Sequence, residues 1–260
     1  MLLIPGLSSG GNVWDGTVEH FQTTYQCHVF TLAGFAGQPP LDPVGEPFLA
    51  QIRDALCRYI RVQKLKKPVL VGHSLGAFMA FWIGATMPDE IGAVVAVDGV
   101  PFFPALQDAS ATPESAQAMA FFISTPLKLQ TPEQFRRGNR AMLRSMITDP
   151  KEVERIGAVS DRSTPSAVGA ALYEIMTTDL RPQVSAITAP VLLVGATASA
   201  ADASQKSQLE ANYRAQVAAI PRHQVVFAPK ARHFIQLDEP AFLFEQIESF
   251  LRQMQIIPEK

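Results

Sequence analysis

The sequence predicts an α/β fold, a doubly wound and mostly parallel sheet with an inserted helical cap. Short apolar runs alternate with helical patterns along most of the 260 residues. Most of these runs are continuous rather than alternating in polarity, which is typical of strands covered by helices on both faces. One segment of roughly eighty residues contains helical patterns and no strand candidate, which favours an insertion over a loop.

The strand candidates are Leu2–Ile4, His28–Thr31, Val69–Val71, Ala93–Val97, Val191–Val194 and Val225–Phe227. Between them, apolar residues at helical spacing predict helices over Phe48–Val62, Leu75–Met87, Gln205–Ile220 and Ala241–Gln253. Pro88 and Pro221 follow two of these helices, where proline ends a helix. Alternation of this kind implies right-handed crossovers between parallel strands.

The inserted segment runs from Phe102 to the next strand. Thr131 and Asp149 each precede a proline, a pattern typical of helix starts. We therefore expect residues 1–101 and 186–260 to form the core and residues 102–185 to form a helical lid.

Composition narrows the function classes. A hydrophobic fraction of 47% and a charged fraction of 18% predict a buried core rather than disorder. The formal net charge of -2 and the lack of a basic stripe argue against a nucleic-acid partner. No apolar run is long enough to predict a membrane span.

The two cysteines, Cys27 and Cys57, do not have metal-site spacing. The sequence does not decide whether a disulfide joins them, because spacing does not give their distance in the fold.

The N-terminus bears on location. Met1 leads directly into a strand candidate, with no charged n-region and no cleavage site. The chain as written is therefore expected to be cytoplasmic, and a missing native N-terminal segment would make export the expectation instead. The sequence leaves a homodimer open.

The clearest motif is a Gly-x-Ser-x-Gly turn between a strand and a helix. It places Ser74 between Gly72 and Gly76, directly after the Val69–Val71 run. The turn is so tight that the residues two before and two after the serine must be small. It presents the Ser74 hydroxyl as a nucleophile, and it places the Leu75 amide where it can donate to an oxyanion.

With this motif, the chain resembles the α/β-hydrolase fold superfamily over nearly its whole length. Residues 5–14 resemble the family's oxyanion loop, with Pro5 where histidine is usual, and this resemblance implies a second oxyanion donor at Leu7 N–H. Residues 31–38 resemble the next strand and loop, with Thr31 where aspartate is usual. The family's first two antiparallel strands have no counterpart, so we expect six parallel strands.

The general base must reach the carboxyl end of the sheet, and the chain has five histidines. His28 and His223 lie at the opposite ends of their strands, and the side chain of His73 is expected to point away from Ser74. His233 follows the Val225–Phe227 strand by a short loop, and its surroundings resemble the family's segment before the last helix. We predict His233 as the base.

Two aspartates are candidates for the acid that orients His233. The family's usual position, three residues after the glycine of the Val191–Val194 strand, is Ala198, which has no carboxylate. Asp98 directly follows the Ala93–Val97 strand at the carboxyl edge, and we favour it. Asp202, four residues after Ala198, is the alternative.

The resemblance implies a serine hydrolase that cleaves carboxylic esters through a Ser-His-Asp triad and an acyl-enzyme, with no metal or cofactor. The predicted lid is rich in apolar residues, which are Phe102, Phe103, Leu106, Met119, Phe121, Phe122, Ile123, Met142 and Met146. We therefore expect the substrate to be an apolar small-molecule ester of small to medium size. Lactone, thioester or carbon–carbon bond hydrolysis on the same triad stays open, as does ligand binding without turnover.

Overall fold

The computed structural model describes residues 1–41 and 47–256. In these ranges, one parallel sheet contains six strands in the order β2-β1-β3-β4-β5-β6. The strands are β1 (Leu2–Ile4), β2 (His28–Val29), β3 (Val69–His73), β4 (Ala93–Val97), β5 (Val191–Ala196) and β6 (His223–Ala228). The chain extends the sheet first to one side of β1 and then to the other, so the predicted doubly wound, six-stranded parallel sheet is confirmed.

The strand bounds differ from prediction at the edges of the sheet. β2 ends at Val29 rather than Thr31, since its pairing with β1 covers only His28 and Val29. The Thr31 hydroxyl instead accepts a hydrogen bond from Gly11 N–H at 2.9 Å, which shows how this loop is held without the usual aspartate. β6 is longer than predicted because it pairs with β5 from His223 onward.

Helices connect the strands, and the predicted ones are present with ends shifted by at most three residues. The described helices are α1 (Asp15–Phe21), α2 (Phe48–Val62), α3 (Leu75–Thr86), α4 (Pro113–Lys128), α5 (Pro132–Met146), α6 (Pro150–Ser160), α7 (Pro165–Thr177), α8 (Ala203–Val217), α9 (Ile235–Asp238) and α10 (Pro240–Gln253). Short 3₁₀ helices cover Gly11–Trp14, Phe103–Leu106 and Val184–Ala186.

The sheet separates two apolar layers. In β3, Leu70 packs into the layer shared with α2 and α3, whereas Val69 and Val71 pack into the layer shared with α10. Every residue of β3 and β4 is buried. Burial on both faces explains why the strands are continuous apolar runs, since neither face contacts water.

The segment between β4 and β5 is helical, as predicted. Capping boxes begin α4 at Thr112 and α5 at Thr131, and the Asp149 side chain caps α6. Within the segment α4 packs along α7, and α5 packs along α6. The division of the chain into a core and a lid at residues 102–185 stays a prediction.

One feature left open by the sequence, a disulfide between the two cysteines, has a structural answer. Cys27 and Cys57 are both free thiols, so no disulfide joins them. In the ranges that the structure covers, no helix has both the length and the apolar character needed to cross a membrane.

Candidate active site

Ser74 occupies the sharp bend between β3 and α3. Its backbone has φ 55° and ψ -119°, a conformation that is strained for a residue with a side chain. A Cβ on Gly72 would overlap the backbone of Gly76, and a Cβ on Gly76 would overlap the carbonyl of Ile4. Both positions therefore require glycine, and the predicted need for small residues is confirmed.

Asp98 is the centre of a hydrogen-bonded cluster at the end of β4. Its Oδ2 accepts a hydrogen bond from His233 Nδ1–H at 2.6 Å. Its Oδ1 accepts from Ala196 N–H at 2.7 Å and from the Tyr213 hydroxyl at 2.6 Å. Asp98 is buried and has φ 47°, and these three hydrogen bonds hold its carboxylate in one orientation.

Tyr213, on α8, is a member of this cluster that the sequence did not single out. It is buried, and its ring packs edge-on against Phe227 of β6. Burial, with the neighbouring Asp98 carboxylate, raises the pKa of Tyr213 well above its ordinary value. The phenol therefore stays protonated and keeps donating to Asp98.

Asp202, the alternative acid, lies elsewhere. It is exposed and caps the N-terminus of α8, where its Oδ1 accepts a hydrogen bond from Gln205 N–H at 2.8 Å. The structure brings Asp98, and not Asp202, to His233.

The loop between β6 and α9 positions His233. Glu239 accepts hydrogen bonds at 2.7 Å from two consecutive backbone N–H groups of this loop. Asp238 accepts one at 2.8 Å from the residue before His233. These two carboxylates hold the loop that carries the His233 imidazole.

His73, at the end of β3, also contacts the loop that carries His233. It is fully buried, and its Nε2–H donates to the backbone carbonyl of His233 at 2.9 Å. Burial, together with the nearby His233, holds the pKa of His73 well below its ordinary value, so the ring stays neutral. The remaining histidines lie outside the site, His20 bonded to Glu248, His28 to Tyr59 and His223 to the carbonyl of Ile220.

Ser74 and His233 line one cavity of about 420 Å³, which Asp98 also borders. Among the described residues, no hydrogen bond joins the Ser74 hydroxyl to His233. Such contacts are often long without substrate and shorten in the bound complex. The structure thus brings the three predicted residues to one cavity and forms one of their two hydrogen bonds.

The predicted oxyanion donors flank Ser74. A Cβ on Gly6 would lie 3.1 Å from the Ser74 Cβ, so the loop after β1 passes directly over the serine, and Leu7 follows and lines the cavity. Leu75 is the first residue of α3, so its N–H has no acceptor within the helix. Their role as donors stays a prediction.

The rest of the cavity is mainly apolar and comes largely from the helical segment. Asp98 is its only carboxylate, and no lysine or arginine is among its described lining residues. Four of the predicted lid residues line it, namely Phe103, Leu106, Met142 and Met146. Phe102 instead packs with small alanines away from it, and the outer face of α4 exposes Met119, Phe121, Phe122 and Ile123.

In residues 1–41 and 47–256, no three His, Cys, Asp or Glu side chains are grouped so that they could hold a metal ion.

A family model described as the alpha/beta hydrolase family matches residues 1–246. The chain therefore belongs to the alpha/beta hydrolase family. This agrees with the resemblance found from the sequence motifs.

Curated relatives match only part of their own length. The chain is 28% identical over 106 residues to the pimeloyl-acyl-carrier-protein methyl ester esterase of Aeromonas salmonicida, covering 40% of this chain and 39% of that one. It is 27% identical over 112 residues to the 1-acylglycerol-3-phosphate O-acyltransferase ABHD5 of Rattus norvegicus, covering 42% and 32%. The chain thus spans less than half the length of these relatives.

Solved structures match nearly the whole fold. A thermophilic esterase from Thermogutta terrifontis superposes with a TM-score of 0.77 at 19% identity, covering 97% of this chain and 89% of that one. The enol-lactonase from Burkholderia xenovorans LB400 gives 0.74 at 17% identity, covering 96% and 90%. At such identities the likeness establishes the shared fold.

Proposed function

We propose that this protein is a serine hydrolase that cleaves carboxylic esters of small to medium apolar substrates through a Ser74-His233-Asp98 triad. The observation that carries the proposal is the 2.6 Å hydrogen bond between His233 and Asp98 at the cavity into which Ser74 opens. A nucleophile, a base and an orienting acid are the groups that two-step acyl transfer requires.

In the proposed reaction, His233 Nε2 takes the proton from the Ser74 hydroxyl as the oxygen attacks the ester carbonyl carbon. The oxyanion of the tetrahedral intermediate accepts hydrogen bonds from the N–H groups of Leu7 and Leu75. The intermediate collapses as His233 returns its proton to the leaving alcohol. Water then attacks the acyl-enzyme by the same route, with His233 as base, and releases the carboxylic acid.

Asp98 keeps the His233 proton on Nδ1, so Nε2 faces the serine as an acceptor. The hydrogen bonds from Ala196 N–H and Tyr213 fix the carboxylate while the imidazole becomes charged. This arrangement supports Asp98 over Asp202 as the acid.

The substrate class follows from the cavity. Its described lining has apolar side chains from both the core and the helical segment, and it has no cation to pair with an anionic substrate. Burying an unpaired substrate charge there would be costly. We therefore infer an uncharged acyl group and an uncharged leaving alcohol.

A panel of p-nitrophenyl esters, lactones and diketone acids tests this function directly. The proposal expects ester turnover above lactone and diketone turnover, and covalent labelling of Ser74 by a fluorophosphonate. Turnover of lactones or diketones alone would reassign the reaction. Absence of both turnover and labelling would favour a ligand-binding protein.

A further inference from the structure

One serine of the helical segment, Ser163, contacts two loops of the core. It is buried between α6 and α7. Its hydroxyl donates to the backbone carbonyl of Ser8 at 3.1 Å, and it accepts from the Ser8 hydroxyl at 3.0 Å and from Ala36 N–H at 2.8 Å. A serine hydroxyl has one donor and two acceptor positions, so Ser163 uses all three.

Both loop residues that Ser163 contacts have strained backbones. Ser8 has φ 61° and Ala36 has φ 49°, a region that residues with side chains seldom adopt. Conformations of this kind persist where surrounding contacts hold them. The hydrogen bonds of Ser163 fall on the two strained residues themselves.

Ser8 belongs to the turn that carries the predicted oxyanion donor. Ser9 N–H donates to the carbonyl of Gly6 at 3.1 Å, which closes a four-residue turn over Ser74. A positive φ at the third position is typical of type II turns, where glycine or asparagine is preferred over serine. The closing bond uses Ser9 N–H and leaves the N–H of Leu7, the second residue, available to a substrate.

We propose that Ser163 is a positioning residue for the oxyanion hole, acting from the helical segment through Ser8 to orient Leu7 N–H toward the oxyanion formed at Ser74. This inference rests on the proposed hydrolase function. The helical segment would then have a second function besides lining the cavity. A shift of the α6–α7 loop would move the turn of residues 6–9 and misalign Leu7 N–H with the oxyanion.

The test compares Ser163→Ala with the unchanged protein on p-nitrophenyl butyrate. Loss of the hydroxyl leaves the Ser8 carbonyl and Ala36 N–H without partners, and the Ser8 hydroxyl keeps only its longer contact of 3.4 Å with the Ser160 carbonyl. We expect kcat to fall by about tenfold or more with KM changed by less than about twofold, because the oxyanion contact is made chiefly in the transition state. Ser163→Thr keeps the hydroxyl and is expected to restore most of kcat.

Ser124→Ala is the matched control, because Ser124 is a buried serine of α4 whose hydroxyl has no partner in the described structure. It should keep kcat unchanged. Thermal unfolding of each variant checks that the loss of rate is not a loss of fold. If Ser163→Ala folds less well, the comparison is made at a temperature where all the variants are folded.

The rate of fluorophosphonate labelling at Ser74 separates the two claims. Labelling of the unchanged protein with slower labelling of Ser163→Ala supports both. Equal labelling and equal kcat in the two proteins would overturn the positioning role and leave the hydrolase function standing. If the unchanged protein neither labels nor hydrolyses esters, the proposed function fails, and the inference fails with it.

Discussion

The carboxyl edge of the sheet and the helical segment of residues 102–185 are specified in different ways. At the edge, Ser74 and Asp98 have positive φ values, and Gly72 and Gly76 leave no room for a side chain. In the helical segment, two methionines differ only in position, since Met142, which is 40% exposed, lines the cavity, whereas Met119, which is 57% exposed on α4, does not. Backbone geometry therefore fixes the positions of Ser74 and Asp98 at the edge of the sheet. In the helical segment, the packing of the helices decides which side chains line the cavity.

The largest effect is expected where the edge is most constrained. Asp98→Asn removes the carboxylate that orients His233, and we expect kcat/KM to fall by about three to four orders of magnitude. Asp202→Asn is the matched control. Asparagine caps helices as well as aspartate does, so activity and stability should both stay close to those of the unchanged protein. Ester-hydrolysis kinetics of the two variants test this prediction. Loss of activity in Asp202→Asn, with activity retained in Asp98→Asn, would make Asp202 the acid.

The next effect is on stability and concerns His73, also at the edge. Its folded-state pKa lies well below the ordinary value of 6.5, so below that pH the unfolded chain binds a proton that the folded chain does not. The free energy of unfolding should therefore fall as the pH decreases through the ordinary histidine value, roughly from pH 7.5 to pH 5.5.

Urea unfolding at both pH values measures this effect. His73→Gln can still donate from its side-chain amide to the His233 carbonyl, and it does not titrate. It should flatten the dependence on pH, and an unchanged slope would mean that another group causes it.

The smallest effect is expected in the helical segment. Met142→Ala widens the cavity, so the ratio of kcat/KM for p-nitrophenyl hexanoate to that for the acetate should rise severalfold. Met119→Ala, an equal truncation on the exposed face of α4, should leave the ratio unchanged. If both variants shift the ratio equally, side chains outside the cavity also set the chain-length preference. The distinction between cavity-lining and other residues of the helical segment would then be wrong.

The same contrast explains what the sequence could predict. Strand candidates and the Ser74 turn follow from local patterns, because parallel strands are continuous apolar runs and the bend needs glycines at fixed spacing. His233 follows from its position after the last strand. These features depend on residues that are close together in the chain, so sequence spacing carries them.

The acid was ambiguous because its partner is distant in the chain. Asp98 and His233 meet only through the order of β4, β5 and β6. One local signal did distinguish the candidates, since Asp202 precedes Gln205 by three residues, as a helix-capping residue does, and the Asp202 side chain accepts the hydrogen bond of such a cap from Gln205 N–H.

Tyr213 and Ser163 had no such signal. The Tyr213 hydroxyl reaches Asp98 from α8, and the Ser163 hydroxyl reaches the Ser8 turn from the loop between α6 and α7, so both contacts join residues far apart in sequence. Likewise, helical periodicity does not tell which apolar residues of the segment face the cavity, because it does not fix how the helices pack on the core. Contacts of this kind depend on tertiary structure alone.

Trapping the acyl-enzyme tests the central claim most directly. The protein is mixed with p-nitrophenyl butyrate, quenched in acid during the burst of p-nitrophenol, digested and examined by mass spectrometry. We expect one butyryl group on the peptide that contains Ser74, and none on the same peptide of Ser74→Ala, which should also lack turnover. Butyryl transfer to another residue, or full turnover by Ser74→Ala, would contradict the proposed role of Ser74.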